Sequence, residues 1–566
     1  MSRHRAQGSV SLVLLSVAAV FLLSACGGGG NDATPTTSVT PAAVASVALT
    51  LSAATLQAPQ TLQSSVTLRD AAGNTLSGRS VTYTSSNTAS ASVSSSGLIT
   101  AVTAGSVTIS ATSEGRTGSA ALTIVAPPAP VASVSLSLPA SSLVLGGKTQ
   151  AVATTRDVAG NVLTGRTVAY TTSTTSIATV STSGLVTGLA VGTSAITATS
   201  EGVAGTAIVT VTVGDLSALL DSLRSTFALP GLGAVIVTRA GVQAIGVTGQ
   251  RRMGGTVPIT LNDIWSIGSD TKAFTSILLG RSIDAGVIGW DKPLTQVLPD
   301  LVSIMRTEYK TATVANVANH AGGFVNNNTA PALSITADAK AGRDAWVQWS
   351  VAQAPIGAVG GYYYSNNGYG ILGGIIERAW GGGATYESLM ASKVYQPLGI
   401  TDATWGPAPN TNPTDGPIGH QWNGTAFAVC EGCSNPPATS ASGRVHISLR
   451  SWARVIQELM LADAGQSTFL TPATARRLTT GVVSTGAGAG FYAMGWIAVG
   501  GPSATPRNVT HDGSNNYNYA RAFVFLDAGV AYLMVTNAAD PAGTHATAPL
   551  DALMPRLNAF WLATGH

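Results

Sequence analysis

Cysteine, lysine and charged residues in general are scarce in this chain of 566 residues. The cysteines are Cys26, Cys430 and Cys433, charged side chains make up 10% of the residues, and the net charge is +3. No cluster of Lys and Arg stands out, so we expect no nucleic-acid partner. The sequence also lacks a metal-ligand set and a phosphate-binding glycine loop, so we expect neither a metal nor a cofactor.

An apolar segment at residues 10–23 is too short and wrongly flanked for a membrane-spanning helix. The basic residues Arg3, His4 and Arg5 precede it, and a Leu-Ser-Ala-Cys sequence ends at Cys26. This arrangement resembles a bacterial lipoprotein signal (1–26), which implies lipidation of Cys26 and attachment to a membrane. A glycine after the cysteine implies the outer membrane of the cell envelope, facing the periplasm or the surface. An ordinary secretory signal with an incidental cysteine is the alternative.

The other two cysteines, Cys430 and Cys433, form a Cys-x-x-Cys pair. In an exported protein this spacing favours a disulfide that closes a small loop. Free thiols and a metal site are the alternatives. A metal site would need two further ligands, and the spacing of His420 and His446 does not single them out.

Residues 44–213 contain two copies of one sequence unit, offset by 87 positions without gaps. Val-Ala-Ser-Val begins at Val44 and again at Val131, and Thr-Ser-Glu-Gly begins at Thr112 and again at Thr199. Each unit alternates Val, Leu, Ile or Ala with Ser or Thr, and Gly-Asn and Ser-Gly turns interrupt the alternation. This pattern predicts a β-sandwich.

The two units resemble the group 2 bacterial immunoglobulin-like domains, at 44–126 and 131–213. The Pro-rich segment between them predicts a short stiff linker, and the Gly-, Thr- and Pro-rich residues 27–43 predict a flexible tether. The units carry no catalytic constellation. A spacer role is therefore favoured over binding of carbohydrate or another cell-surface component.

The character of the sequence changes at residue 214. Apolar patterns predict strands at 232–237, 242–247, 492–498, 520–526 and 530–536, and helices at 270–285, 370–379, 385–396 and 450–463. Strands at both ends with helices between them predict one α/β (α+β) domain over 214–566, with an antiparallel sheet and a helical subdomain. The predicted fold class is thus multidomain, with two all-β sandwiches before this domain.

A Ser-x-x-Lys tetrapeptide, Ser269 to Lys272, is the most informative motif of this region. On a helix the lysine lies one turn after the serine, where it can take the proton of a hydroxyl that is otherwise a poor nucleophile. The chain has six lysines, and only Lys272 follows a serine by three positions. With so many serines a chance match is expected, so the tetrapeptide alone does not define a site.

Two further motifs follow in order. In Tyr364-Ser-Asn366, a tyrosine beside a lysine ammonium can have its pKa lowered and act as a base, and the asparagine can hold a substrate carbonyl or orient the lysine. In His511-Asp-Gly513, a glycine at a strand edge lets a substrate approach closely. Another His-x-Gly begins at His320, and the order of the motifs favours His511.

Together these motifs resemble those of the penicillin-recognising serine hydrolases, and the likeness is greatest to class C β-lactamases, D,D-peptidases and related esterases. The motifs are Ser269-x-x-Lys272, Tyr364-x-Asn366 and His511-x-Gly513. Asn319-His-Ala-Gly-Gly-Phe and Met494-Gly-Trp also resemble family segments. The likeness spans nearly all of 214–566.

The resemblance implies a catalytic role for each motif residue. Ser269 attacks a carbonyl and forms an acyl-enzyme, which water then hydrolyses. Lys272 and Tyr364 share the general-base work and return a proton to the leaving group, and Asn366 binds substrate or positions Lys272. The backbone N–H groups of Ser269 and Ser514 form the oxyanion hole.

Two departures from the family pattern bear on the substrate. His511 stands where many relatives have the lysine of a Lys-Thr-Gly motif, which weakens the positive charge offered to a carboxylate, and Asp512 lowers anion affinity further if it faces the site. We therefore predict an exported, lipid-anchored serine hydrolase of the esterase or D-amino-acid peptidase or amidase type. It would act on a small ester, peptide or peptidoglycan-like substrate, with weak or absent β-lactamase activity. An adhesin or peptidoglycan-binding protein with a vestigial hydrolase domain is the alternative.

Overall fold

The computed structural model describes residues 41–326, 338–406, 416–486, 488, 490–540 and 544–563. The predicted lipidation site Cys26 lies outside these residues. The chain divides into two units between Ala129 and Pro130. Within the described ranges, no helix combines the length and the hydropathy needed to cross a membrane.

The first unit is an all-β fold built from short strands. Its sheets have the orders β1–β4–β5, β2–β10–β9–β6 and β3–β8–β7. Its core contains the buried side chains of Leu56, Ile99, Ile109 and Ile124. The strands are β1 Ser46–Thr50, β2 Thr55–Gln57, β3 Thr61–Gln63, β4 Ser65–Arg69, β5 Thr75–Leu76, β6 Thr82–Ser85, β7 Ala91–Val93, β8 Leu98–Ala101, β9 Gly105–Ser113 and β10 Arg116–Val125.

The second unit begins with the same arrangement of strands. The sheet orders β11–β14–β15, β12–β20–β19–β16 and β13–β18–β17 repeat those of the first copy. The predicted all-β character of this region is therefore confirmed. The strands are β11 Ser133–Ser137, β12 Ser142–Val144, β13 Lys148–Gln150, β14 Val152–Arg156, β15 Val162–Leu163, β16 Ala169–Thr172, β17 Ala178–Val180, β18 Leu185–Gly188, β19 Gly192–Ser200 and β20 Val203–Thr212.

One side-chain contact recurs in both copies. Glu114 accepts a hydrogen bond from the backbone N of Val44 at 2.8 Å, and Glu201 accepts one from Val131 at 2.9 Å. Both glutamates adopt left-handed backbone angles, with φ of 48° and 49°. The gap-free repeat in the sequence is thus also a repeat of individual contacts.

The remaining elements form the third domain. Its strands are β21 Gly214–Asp215, β22 Gly231–Thr238, β23 Gly241–Gly249, β24 Ile264–Ser266, β25 Thr404–Trp405, β26 His420–Trp422, β27 Phe427–Val429, β28 Val445–Ser448, β29 Val483–Ser484, β30 Gly490–Tyr492, β31 Ile497–Val499, β32 Asn508–Ser514, β33 Tyr519–Phe525, β34 Val530–Thr536 and β35 Ala538–Ala539. Its helices are α1 Ser217–Thr226, α2 Thr271–Asp284, α3 Leu294–Val297, α4 Val314–Ala318, α5 Ala339–Ala352, α6 Asn366–Trp380, α7 Tyr386–Met390, α8 Ser440–Gly443, α9 Leu449–Asp463, α10 Pro472–Thr479 and α11 Thr544–Ala563.

The main sheet of this domain has nine strands in the order β21–β23–β22–β34–β33–β32–β31–β30–β29. Its neighbours are antiparallel except for β21 and β23. Strands from both ends of the domain complete one sheet around the inserted helices, as predicted. The single strand predicted at 492–498 is wrong, because β30 and β31 form a hairpin there. Gly495 turns between them with φ of 78°, and a Cβ at this position would lie 2.6 Å from the carbonyl oxygen of Lys272.

Both faces of this sheet are buried. In β22, Leu232, Ala234 and Ile236 belong to a core that also contains apolar residues of α1 and α11. The alternate residues Val235 and Val237 belong to the larger core that contains residues of α2, α6 and α9. Successive side chains of β22 therefore point to opposite faces of the sheet. Helix α2, which follows the predicted nucleophile, packs on the face that carries Val235 and Val237.

Candidate active site

Ser269 lies in a 3₁₀ turn, Gly268–Asp270, that leads directly into α2. Gly268 has φ of 49°, and a Cβ there would lie 2.4 Å from the backbone N of Ser514 on β32. A glycine at this position therefore lets β32 pass directly against the turn. The serine side chain remains partly exposed, whereas Lys272 one turn later is fully buried.

The Nζ atom of Lys272 has three close polar neighbours. It lies 3.0 Å from Oγ of Ser269, 2.7 Å from Oδ1 of Asn366 and 2.6 Å from the carbonyl oxygen of Ser442. Burial lowers the pKa of Lys272 well below its usual value. A neutral amine has two N–H groups and one lone pair. The two acceptors, Asn366 and Ser442, take the N–H groups, and the lone pair is left for the hydroxyl proton of Ser269.

Tyr364 also lies beside the nucleophile. Its phenol is within hydrogen-bonding reach of Ser269, and its ring centroid is 5.0 Å from Nζ of Lys272. Burial raises the pKa of Tyr364. The prediction that a lysine ammonium lowers this pKa is therefore wrong, because desolvation of the phenolate dominates. A neutral phenol can relay a proton between Ser269 and a leaving group.

The helix cap of α6 holds the Tyr-x-Asn segment in place. Ser365 is the N-cap, and its Oγ accepts a hydrogen bond from N of Gly368 at 3.0 Å. The backbone N of Ser365 also donates to Nδ1 of His320 at 3.2 Å, and the His320 ring lies 4.4 Å from that of Tyr364. The order of motifs favours His511 over His320 as the catalytic histidine, and His320 instead holds the backbone of Ser365 and packs against the ring of Tyr364.

His511 is buried on β32 and has two polar contacts. Its Nδ1 lies 2.8 Å from the carbonyl oxygen of Asp512, and its Nε2 lies 3.3 Å from the hydroxyl of Tyr492. Burial lowers the pKa of His511 to about 4. The imidazole is therefore neutral near pH 7 and supplies no fixed positive charge.

Gly513 brings β32 against the serine turn. A Cβ at this position would lie 1.9 Å from the carbonyl oxygen of Ile267 and 2.9 Å from Oδ2 of Asp270. A glycine is therefore required here because β32 packs against the turn, whereas the sequence predicts a glycine that leaves room for a substrate. Asp270 itself is 1% exposed, and neither carboxyl oxygen has a hydrogen-bond partner among the described residues. Burial, the largest cause, raises the pKa of Asp270 well above its usual value.

Asp512 points away from the buried side of β32 and forms an ion pair. Its carboxylate accepts hydrogen bonds from Arg521 at 2.5 and 2.9 Å and from the hydroxyl of Tyr519 at 2.7 Å. A cavity of about 410 Å³ adjoins this ion pair. It is lined by Tyr362, Tyr364, Ile497, Thr510, His511, Phe523 and the Asp512–Arg521 pair. The cavity therefore connects the candidate catalytic tyrosine to the outer face of β32.

The Cys-x-x-Cys pair lies just before Asn435 in the sequence. Cys430 and Cys433 are joined by a disulfide. Two residues later, Nδ2 of Asn435 donates to the carbonyl oxygen of Gly443 at 2.7 Å, next to Ser442. Within the described part of the chain, no group of His, Cys, Asp and Glu side chains could hold a metal ion.

The family model "Beta-lactamase" matches residues 216–553, which is more than half of the chain. The chain belongs to the beta-lactamase family. A second model, "Bacterial Ig-like domain (group 2)", matches residues 43–124 and 130–213. The chain is thus a serine hydrolase of the beta-lactamase superfamily preceded by two Ig-like domains.

Two curated proteins are similar in sequence to part of this chain. Penicillin-binding protein 4 of Amycolatopsis lactamdurans is 24% identical over 32% of this chain and 46% of its own length. The D-alanyl-D-alanine-carboxypeptidase/endopeptidase AmpH of Escherichia coli K12 is 24% identical over 38% of this chain and 54% of its own. The chain spans about half the length of these relatives.

The crystal structure of SurE has a TM-score of 0.51 to this chain at 21% identity. The match covers 62% of this chain and 76% of SurE. At this level of identity the likeness concerns the fold alone. Within that fold, the described structure brings the predicted residues Ser269, Lys272, Tyr364 and Asn366 together, with His511 of β32 beside Tyr364 (ring centroids 6.4 Å apart).

Proposed function

We propose that this beta-lactamase-family chain hydrolyses esters or D-amino-acid peptides and amides through an acyl-enzyme on Ser269, and that it acts weakly or not at all on β-lactams. The contacts of Lys272 carry this proposal. Asn366 and Ser442 occupy its two N–H groups, so its lone pair is directed at Ser269. A buried neutral amine in this position is a general base that needs no further activation.

Acylation follows from these contacts. Oγ of Ser269 attacks the substrate carbonyl carbon and its proton passes to Nζ of Lys272. The backbone N–H groups of Ser269 and Ser514 stabilise the oxyanion, a contribution of about 3–4 kcal/mol for one such donor in other hydrolases. When the tetrahedral intermediate collapses, the bond to the leaving group breaks, and the proton from Lys272 reaches the leaving group through the phenol of Tyr364.

Deacylation reverses the proton path. A water molecule attacks the acyl carbon and gives one proton to the phenol oxygen of Tyr364, whose own proton passes to Nζ of Lys272. The ester bond to Ser269 then breaks, Oγ regains a proton, and the acid product leaves. A neutral phenol at Tyr364 suits both directions, because it can donate one proton while it accepts another.

The third motif shapes the choice of substrate. A neutral His511 lacks the charge that a lysine would offer to the carboxylate of a β-lactam, and the neighbouring Asp512 is negatively charged. This argues against efficient β-lactam hydrolysis. The name of the AmpH relative describes a peptidase, which keeps peptide and peptidoglycan-like substrates within the proposal.

An activity probe tests this proposal. We expect a fluorophosphonate to label the wild-type chain and not the Ser269→Ala variant. p-Nitrophenyl esters and D-amino-acid amides should be hydrolysed faster than nitrocefin. If the wild-type chain reacted with none of these reagents, the proposed function would be contradicted. Rapid turnover of nitrocefin would contradict the argument from His511.

We further propose that the chain is exported and anchored to the outer membrane of the cell envelope through a lipid on Cys26, with the Ig-like domains as spacers. The basic n-region, the short apolar segment and the Leu-Ser-Ala-Cys sequence support this proposal. The test is metabolic labelling with palmitate and membrane fractionation. The wild-type chain should be labelled and membrane-bound, and Cys26→Ala should be unlabelled. A labelled Cys26→Ala variant would overturn lipidation at this cysteine.

A further inference from the structure

The cavity beside Tyr364 contains a cation that is already paired. Within the described lining of this cavity, Arg521 is the positively charged side chain. Its Nε and Nη2 atoms donate to Asp512, and its Nη1 donates to Asp551. Two carboxylates thus surround one guanidinium, and the three groups together carry a net negative charge.

The other basic side chains near the cavity offer no charge to a ligand. His511 lines the cavity as a neutral imidazole, with both ring nitrogens near polar protein atoms. Lys272 is fully buried, and its N–H groups are directed at Asn366 and Ser442. A ligand carboxylate would therefore meet a group of net negative charge and find no free cation in the described lining.

The rest of the lining is mostly apolar. The ring of Tyr362, the side chain of Ile497 and the ring of Phe523 form much of the wall, and all three are partly exposed. Moving a carboxylate from water into such surroundings is unfavourable unless a cation and hydrogen bonds compensate it. An uncharged acyl or alcohol group would instead gain from burial of its apolar surface.

We propose that this cavity receives an uncharged, mainly apolar part of the substrate and rejects a carboxylate. The preferred substrates are then neutral esters or amides, and substrates that end in a free carboxylate are disfavoured. This inference rests on the proposed acyl-enzyme function and names its substrate class. The Asp512–Arg521 pair is the element that determines this specificity, because Asp512 occupies the guanidinium that could otherwise bind a carboxylate.

Matched substrate pairs test the inference on the full chain. One pair is 3-(methoxycarbonyl)phenyl butyrate and 3-carboxyphenyl butyrate, which differ in the leaving group. The other is methyl p-nitrophenyl glutarate and p-nitrophenyl hydrogen glutarate, which differ in the acyl group. For each ester, kcat/KM is divided by the rate constant for its hydrolysis by hydroxide. We expect this ratio to be higher for the neutral member of at least one pair by about tenfold or more. Equal rates, or a preference for the acid, in both pairs would overturn the inference.

Variants identify the residues responsible. Asp512→Asn leaves a side chain of similar shape with a single acceptor oxygen, so one of the two donors that Arg521 gives to Asp512 is released and the relative rate with the acid should rise several-fold. In the double variant that combines Asp512→Asn with Arg521→Gln, the relative rate with the acid should return to about the wild-type value. Asp300→Asn is the matched control, because Asp300 is a similarly exposed carboxylate paired with Arg378 at a different cavity. A gain of the same size in the control would rule out a specific role for Asp512.

Covalent labelling separates the inference from the function on which it rests. A pair of fluorophosphonates, one with a methyl ester tail and one with a free carboxylate tail, reports the same preference without requiring turnover. Faster labelling of Ser269 by the neutral probe supports the inference, even if the Asp512 variant fails to fold. Equal labelling overturns the inference alone, and no labelling by either probe overturns both the proposed function and the inference.

Discussion

Nζ of Lys272 lies 2.7 Å from Oδ1 of Asn366. An isosteric carboxylate at position 366 would place a negative charge beside this amine and favour its ammonium form, so Asn366→Asp should raise the pKa of Lys272. We expect kcat/KM for a neutral ester to fall at least about tenfold near pH 7, and the acid limb of its pH profile to move to higher pH. Asn423→Asp, on an exposed turn, is the control. An unmoved acid limb in Asn366→Asp would contradict the assignment of Lys272 as the base.

Lys272→Arg tests the base directly. A guanidinium is not deprotonated in proteins and cannot accept the proton of Ser269. Since burial lowers the pKa of Lys272, its deprotonated form persists to lower pH than that of an exposed lysine, and activity is lost as the pH falls through that pKa. We expect the rate of ester hydrolysis to drop by about 10²–10⁴-fold in Lys272→Arg. Lys340→Arg, which keeps an ion pair with Asp344 on α5, should retain wild-type activity.

Tyr364→Phe removes the proposed proton relay and keeps the ring. The ring packs against His320, so the local structure should persist, and the thermal stability should change little. We expect kcat to fall by about 10²-fold or more with amides, whose leaving groups need a proton, and less with p-nitrophenyl esters, whose leaving groups do not. Equal losses with both classes of substrate would argue against proton delivery by Tyr364. Tyr309→Phe serves as a buried tyrosine control, because the ring of Tyr309 stacks on Phe324.

Much of this site could be predicted because its residues are linked through short motifs. The spacing of Ser269 and Lys272 is a helical turn, and the structure places the two side chains 3.0 Å apart. Strand patterns at 232–237 and 530–536 predicted a sheet shared by both ends of the domain, and β22 indeed pairs with β34. Period-two alternation and a one-turn spacing are local properties, and local properties can be read from a sequence.

What could not be predicted depends on tertiary contacts. The carbonyl of Ser442 that binds Lys272 is a backbone group, and any residue type there would supply it. The direction of the Tyr364 pKa shift depends on burial, which the motif does not reveal. Asp270 shows the same difficulty, because a charged residue next to the nucleophile would be expected to face water, and it is 1% exposed.

Buried histidines make the fold sensitive to acid. Burial lowers the pKa of His446 to about 4, from an ordinary value of 6.5. Between these two pH values the unfolded chain binds a proton that the folded chain does not, so the free energy of unfolding falls as the pH drops from 6.5 to 4. The contribution of this residue is at most about 3 kcal/mol. His446→Gln should flatten the dependence of urea unfolding on pH in this window, and an unchanged dependence would show that other groups dominate.

Gly513→Ala tests the contact between β32 and the serine turn. The added Cβ would lie 1.9 Å from the carbonyl oxygen of Ile267, a distance that backbone atoms cannot tolerate, so the strand or the turn must move. We expect a loss of stability of about 1–3 kcal/mol. Because the backbone N of Ser514 moves with the strand, labelling of Ser269 by a fluorophosphonate should slow more than the loss of folded protein explains. Gly289→Ala is the control, since the nearest atom to its Cβ is Cγ of Lys292 at 3.4 Å, an ordinary contact. If Gly513→Ala lost stability and labelled at the wild-type rate, the position of β32 would not govern the oxyanion hole.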